Sequence, residues 1–154
     1  HCLVIAGGAT RQDSIALLAA RARGNWLMVH DAARPFASTD LFHAVLSAAR
    51  ENGCAGAFIS PQVPIARIRD GWVVEAYSSH EVGVFQTPQV YSRSDMATML
   101  DHQHRVPGWF AQSAVQLALA AGIAVHAVKG EARNIKITTA EDWQLAQAME
   151  HFLP

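Results

Sequence analysis

The chain has 154 residues, of which 51% are hydrophobic and 16% charged, with a formal net charge of -1 at pH 7. That length fits one domain with a substantial core, and the composition excludes a disordered chain. So small a net charge gives no global attraction to nucleic acid or anionic membrane, and any phosphate recognition has to be local. No apolar run approaches the ~20 residues that span a bilayer, so no membrane partner is expected. Cys2 and Cys54 form no Cys-x-x-Cys pair, which suggests neither a disulfide framework nor a zinc site and leaves a reducing cytoplasm as the default compartment.

Residues 2–6 read as a strand already under way, ending at Gly7-Gly8, where backbone can approach a ligand closely. A chain that opens in mid-strand is expected to lack its natural beginning. Thr10, Asp13 and Ser14 are candidate caps for a helix through Ile15, Leu17, Leu18 and Ala22 that closes at Gly24. Residues 26–30 are the next strand, and it stops at an acid and a base, Asp31 and Arg34. Polar groups at the carboxyl end of a buried strand are where open α/β sheets hold ligands. Aspartate suits a divalent cation or a sugar hydroxyl, and arginine forks onto phosphate; two charges that merely solvate a turn fit the spacing equally well. Ser38 or Thr39 can cap a helix whose apolar positions Leu41, Phe42, Val45, Leu46 and Ala49 run up to Gly53, and residues 55–60 are a third strand. Strands alternating with helices predict one α/β domain with a mostly parallel sheet covered on both faces.

The alternation then breaks. Residues 65–69 and 72–77 read as strands around an Asp70-Gly71 hairpin turn, within an arm over roughly residues 63–83 that projects from the α/β core. Ile65, Ile68, Trp72 and Val74 would leave such an arm with exposed apolar surface, which favours packing on a second subunit or on the body. Residues 84–91 contain Gln86-Thr87-Pro88-Gln89, and Pro88 predicts an edge or loop segment rather than a central strand. A helix over residues 94–102, capped by Ser92 or Ser94, is followed by the breaker Pro107-Gly108. A second runs over residues 111–121 and stops at Gly122, and residues 123–129 alternate as a strand. Residues 135–137 are a short extended piece, and Thr138 with Glu141 is a capping-box pattern for a helix over residues 140–152.

Four polar loops therefore follow apolar strands, at residues 7–14, 31–35, 86–89 and 133–139. Lys136, between Ile135 and Ile137, faces away from the apolar side of its segment; there it can neutralise phosphate or stand in solvent. His102 and His104 complete no metal set, and His30 reads as a packed or hydrogen-bonded histidine. Trp26, Trp72, Trp109 and Trp143 are simplest as core or interface residues without the basic interleaving of a nucleic-acid surface.

Taken in order, Gly7-Gly8-Ala9-Thr10-Arg11-Gln12-Asp13-Ser14, Val29-His30-Asp31-Ala32-Ala33-Arg34-Pro35, Gln86-Thr87-Pro88-Gln89 and Asn134-Ile135-Lys136-Ile137-Thr138-Thr139 resemble the 2-C-methyl-D-erythritol 4-phosphate cytidylyltransferase family over essentially the whole chain. The resemblance implies a Rossmann-like nucleotidyltransferase fold in three layers and a homodimer built around a projecting β-arm. It also implies transfer of CMP from CTP to a polyol phosphate with magnesium, releasing pyrophosphate, in the non-mevalonate isoprenoid route; a related branch uses ribitol 5-phosphate. By resemblance Gly7, Gly8 and Ser14 hold the cytosine, and Asp31 with Ala32 contacts ribose or the metal-bound region. Asp31 and Lys136 are the catalytic pair, Asp31 the metal ligand, and Arg34, Thr87 and Lys136 line the acceptor-phosphate side.

The chain departs from the family twice. The family's glycine-rich loop bearing an arginine and a lysine has no counterpart from His1 onward, so the single domain is expected to lack its N-terminal portion. Pro64-Ile65 stands where the family has an Asp-Thr pair, and Ser79 stands where it has an arginine. The family's Thr-Asp-Glu-Ala-Ser segment corresponds to Trp109-Phe110-Ala111-Gln112-Ser113. Nucleotide-side motifs are thus intact while acceptor-side motifs are eroded. Two other readings follow from that asymmetry: a non-catalytic paralogue that binds nucleotide or dimerises, and a nucleotidyltransferase for another sugar phosphate.

Overall fold

The computed structural model describes residues 2–106 and 111–150. Helix α1 (Arg11–Arg21) opens on a capping box: the Thr10 side chain accepts from Asp13 N, and the Asp13 carboxylate accepts from Thr10 N. Strand β1 (Trp26–Val29) leads through the Asp31 turn to α2 (Thr39–Asn52), capped by Ser38 and ended by Gly53 at φ 91°, a conformation that favours glycine. Next come β2 (Cys54–Ile59), β3 (Ile65–Arg69), β4 (Trp72–Tyr77) and β5 (Val84–Ser92). Helices α3 (Arg93–Arg105) and α4 (Ala114–Ala120), strand β6 (His126–Lys129) and helix α5 (Ala140–Glu150) complete the order.

The main sheet has the order β1-β5-β2-β6. Strand β5 is antiparallel to both β1 and β2, and β2 is parallel to β6, so β1, β2 and β6 share a direction and β5 is inverted among them. Neighbouring residues on a strand serve opposite faces. Cys54 and Tyr91 pack with α1, α3 and α4 around Ile15, Met96, Met99 and Leu117, while Ala55 and Val90 pack with α2 around Leu41, Val45 and Ala49. Helices thus cover both faces, as the alternation implies.

Pro88 does not exclude β5 from the centre. Gly56 pairs with Gln89 and Phe58 with Phe85, so residues 86–88 bulge opposite Ala57, and pairing with β1 stops at Val29 and Gln89. Pro88 falls where neither neighbour needs its missing N–H, and the expectation of an edge or loop segment is corrected accordingly. The strand expected at residues 2–6 is also absent: Leu3 is 63% and Val4 89% exposed, and the segment has no ladder partner among the described residues. Side-chain propensity alone does not hold a strand without a neighbour.

Smaller differences have local causes. Helix α4 begins three residues later than periodicity suggests because the Ser113 side chain accepts from Gln116 N and sets the start there. The cap of α5 lies one residue on from Thr138 and Glu141: Thr139 Oγ1 accepts from Asp142 N at 3.1 Å, and Asp142 Oδ2 accepts from Thr139 N at 2.9 Å. Residues 123–125 precede β6 rather than joining it, and residues 135–137 lie outside the sheet, Ile137 N donating to Ala33 O at 2.8 Å. Pro107, Gly108, Trp109 and residues 151–152 lie outside the described residues.

Strands β3 and β4 form a two-stranded sheet of their own around Asp70 and Gly71, at φ 49° and 82°, the positive values of a tight hairpin turn. Most of its side chains are exposed, including Ile68, Trp72, Val73 and Val74.

Candidate active site

Asp31 follows the carboxyl end of β1, and three cations gather on its carboxylate. Arg11 Nη2 lies 3.0 Å from Oδ1, and Lys136 Nζ lies 3.2 Å and Arg34 Nε 3.8 Å from Oδ2. The Asp31 backbone is fixed as well, its N–H donating to Thr87 Oγ1 at 3.0 Å while its carbonyl accepts from Arg34 N at 2.9 Å. Partial burial works to raise the Asp31 pKa, but hydrogen bonds and charge from Arg11 and Lys136 outweigh it and hold the carboxyl below the ordinary carboxylate value. The turn is therefore an ion cluster rather than a pair of solvated charges, and Lys136 is paired with Asp31.

A buried polar network holds these side chains in place. Asn134 is fully buried; its Nδ2 donates to Thr87 O at 2.8 Å, and its carbonyl accepts from Arg34 Nη1 at 2.7 Å. Gln86 Nε2 donates to Glu131 O at 2.9 Å and Gln86 Oε1 accepts from Glu131 N at 3.1 Å, while the Glu131 carboxylate takes both the N–H and the hydroxyl of Ser38. A Cβ on Gly130 would lie 2.2 Å from Gln86 Oε1, so the loop after β6 comes this close to β5 only with glycine there. His30 bridges Thr87 Oγ1 at 3.0 Å and Arg34 O at 3.1 Å and packs on Phe42, as expected of a hydrogen-bonded histidine.

A cleft of about 310 Å³ opens beside the cluster. Arg11, Asp31, Arg34, Thr87 and Lys136 line it, together with Phe85, Gln86 and Gln89 of β5 and with Gln112, Ser113 and Gln116 at the start of α4. The structure thus brings Asp31, Arg34, Thr87 and Lys136 together. Arg34, however, gives Nη1 to Asn134 O and Nη2 to Phe85 O, so much of its fork serves the protein's own carbonyls.

The other expected residues stand apart from the cleft lining. Gly7 and Gly8 fold back over the start of α1, where Gly8 N donates to Ser14 Oγ at 3.0 Å and that hydroxyl donates to Thr10 O at 3.0 Å. A Cβ on Gly8 would lie 2.3 Å from Asp13 Cβ, so the close turn requires glycine. Ala32 is exposed in the turn after Asp31. Arg11, one residue after the Thr10 cap, connects this loop to Asp31. Sequence reasoning gave neither Arg11 nor Asn134 a role, although both lie inside quoted motifs; a cation just after a glycine turn and a polar residue beside an apolar strand were the available signals.

Among the described residues, Asp31 is the one carboxylate lining the cleft. No group of three or more His, Cys, Asp or Glu stands together among them to cage a metal. A single carboxylate suits magnesium, which takes one or two protein carboxylates and completes its shell with water and substrate phosphates.

The fold is shared with solved proteins. The 2-C-methyl-D-erythritol 4-phosphate cytidylyltransferase from Thermus thermophilus matches with a TM-score of 0.85 at 33% identity, over 96% of this chain and 72% of that one. The 4-diphosphocytidyl-2C-methyl-D-erythritol synthase from Anaerococcus prevotii matches with a TM-score of 0.87 at 27% identity, over 94% of this chain and 68% of that one. Fold and cleft together define a Rossmann-like nucleotidyltransferase domain. The family model of 2-C-methyl-D-erythritol 4-phosphate cytidylyltransferase matches residues 1–151, and the chain belongs to that family. A curated relative of that name from Salinibacter ruber is 36% identical over 95% of this chain and 62% of its own length. The bifunctional enzyme IspD/IspF of Nitratidesulfovibrio vulgaris is 39% identical over 96% of this chain and 38% of its own length. The chain thus spans less than two thirds of the length of these curated relatives.

Proposed function

We propose that the protein carrying this chain transfers CMP from CTP to 2-C-methyl-D-erythritol 4-phosphate or a related polyol phosphate and releases pyrophosphate. The observation that carries this reading is the ion cluster: one carboxylate and three cations held at a strand end, lining a cleft of polar side chains. A phosphate oxygen of the acceptor attacks the α-phosphorus of CTP, a new P–O bond forms, and the bond to the bridging oxygen breaks, with pyrophosphate leaving with the electron pair. An ionised phosphate monoester needs no base to attack, so catalysis is positioning and neutralisation of charge.

Lys136 neutralises the acceptor phosphate, and Asp31 orients Lys136 and contacts the ribose or the metal-bound region. Thr87 fixes Asp31 through its backbone, and Arg34 lines the acceptor side while clamping the 134 loop to β5. The Gly7-Gly8 turn with Ser14 and Ala32 receives the nucleotide, and Arg11 ties that turn to Asp31. Asp31 would hold a magnesium ion, which would supply additional neutralisation of the triphosphate. The β3–β4 hairpin, with its exposed Ile68, Trp72 and Val73, serves as the arm of a homodimer. Cys2 and Cys54 are both free thiols, in keeping with a cytoplasmic setting.

The test is incubation of the protein with CTP and magnesium against 2-C-methyl-D-erythritol 4-phosphate and ribitol 5-phosphate, followed by phosphorus NMR. A cytidine diphosphate-linked polyol and an equal amount of pyrophosphate are expected with at least one acceptor. Pro64-Ile65, Ser79 and the occupied Arg34 fork favour a second reading, a paralogue that binds the nucleotide without transferring it. CTP binding without product for either acceptor would establish that one instead.

A further inference from the structure

We propose that His30 is a positioning residue for the transfer, its imidazole closing a ring of hydrogen bonds that fixes the backbone of Asp31 through the Thr87 hydroxyl. This rests on the cytidylyltransferase reading above, in which Asp31 orients Lys136. Packing against Phe42 would be served by any aromatic ring, whereas the hydrogen bonds need an imidazole.

The two ring nitrogens have different partners. Arg34 O lies 3.1 Å from Nε2 and a carbonyl only accepts, so Nε2 carries the ring hydrogen. Nδ1 in that tautomer is an acceptor, and Thr87 Oγ1 lies 3.0 Å from it. The Thr87 hydroxyl therefore donates to Nδ1, while its oxygen accepts from Asp31 N at 3.0 Å. Asp31 O accepts in turn from Arg34 N at 2.9 Å. The bonds run head to tail: ring to Arg34 carbonyl, Arg34 amide to Asp31 carbonyl, Asp31 amide to Thr87 hydroxyl, and that hydroxyl back to the ring.

The ring of bonds is braced from outside. Thr87 is 2% exposed, so its buried hydroxyl depends on the imidazole for a partner, and Asn134 Nδ2 holds its carbonyl at 2.8 Å. Phe42 of α2 packs on the imidazole with centroids 4.8 Å apart. A hydrogen moved to Nδ1 would set the Nε2 lone pair against those of Arg34 O and open the ring there. The Asp31 carboxylate thus meets Arg11 and Lys136 from a backbone already fixed on both sides of its residue. A charged group placed before the reaction begins costs no reorganisation during it, and that placement is what His30 contributes.

Nitrogen NMR of the wild-type protein labelled at histidine, with the His30 signals identified by their loss in His30→Asn or His30→Phe, is expected to show the hydrogen on Nε2; a hydrogen on Nδ1 would overturn the proposal. The second measurement is turnover with CTP, magnesium and the better of 2-C-methyl-D-erythritol 4-phosphate and ribitol 5-phosphate. His30→Phe keeps a ring against Phe42 and removes both hydrogen bonds, and its kcat is expected to fall by about 10-fold, the effect of one hydrogen bond. His30→Asn, whose Oδ1 can stand where Nδ1 does, is expected to recover most of that loss. In a Thr87→Val background, where the hydroxyl is already gone, His30→Phe is expected to change kcat by less than about twofold. A wild-type kcat in His30→Phe, equal losses in both backgrounds, or no recovery with asparagine would overturn the assignment while leaving the parent reading intact. A wild-type protein that forms no cytidine diphosphate-linked polyol would overturn both.

Discussion

Each oxygen of Asp31 faces a cation, so the carboxyl has to stay ionised for the cleft to keep its shape. Its pKa in the folded protein lies below the unfolded value of about 3.9, because Arg11 and Lys136 outweigh partial burial. A depressed carboxylate contributes stability that is fully present above the unfolded pKa and is lost as pH falls through the folded one. Thermal melting of the wild type and of Asp31→Asn across this range is expected to show a gap in Tm that closes below about pH 4. A gap unchanged by acid would mean that the ion cluster does not stabilise the fold. Asp31, Arg34 and Lys136 were legible in the sequence because charges that interrupt apolar runs are conspicuous. Arg11 was not, since its partner lies twenty residues away and only the fold brings them together.

At the scale of elements, α1, α2 and α3 were legible to within a few residues because their caps are local: Thr10 with Asp13, Ser38 before Thr39, and Ser92 before Arg93. The place of β5 was not, because a central strand tolerates Pro88 only through a bulge that depends on β2 and β1. Residues 2–6 differ in the other direction, having strand-like side chains but no ladder partner among the described residues. The same dependence on distant partners makes Asn134 a structural keystone, since its amide joins the 134 loop to Thr87 on β5. Asn134→Ala leaves the Thr87 carbonyl unpaired in the interior and is expected to cost about 1–3 kcal/mol. Denaturant unfolding measures this directly, and the loosened loop should also raise the acceptor KM through Lys136. A variant as stable as wild type would show that the network is incidental.

At the scale of the molecule, the β3–β4 hairpin has its own sheet and leaves Ile68 66%, Trp72 76% and Val73 67% exposed. Ile68 and Val73 face each other across the hairpin and Trp72 stands on its other face, exposed apolar surface that suits the proposed homodimer. Ile68→Asp combined with Trp72→Asp is expected to shift sedimentation from dimer to monomer with the circular dichroism spectrum unchanged; a wild type that sediments as a monomer would contradict the arm's role. The α/β class was legible from the alternation of elements, and three of the four polar loops do meet at the cleft; Arg11 and Gln116 were not legible there, because only the fold brings the starts of α1 and α4 beside those loops. The central claim is that this cleft transfers CMP through the charge arrangement on Asp31, and the kcat of Asp31→Asn tests it most directly. With CTP, magnesium and the better polyol phosphate, the variant should keep its fold and lose about 10²–10³-fold in kcat, the scale of one preorganised electrostatic group. A folded Asp31→Asn protein with wild-type kcat would contradict it.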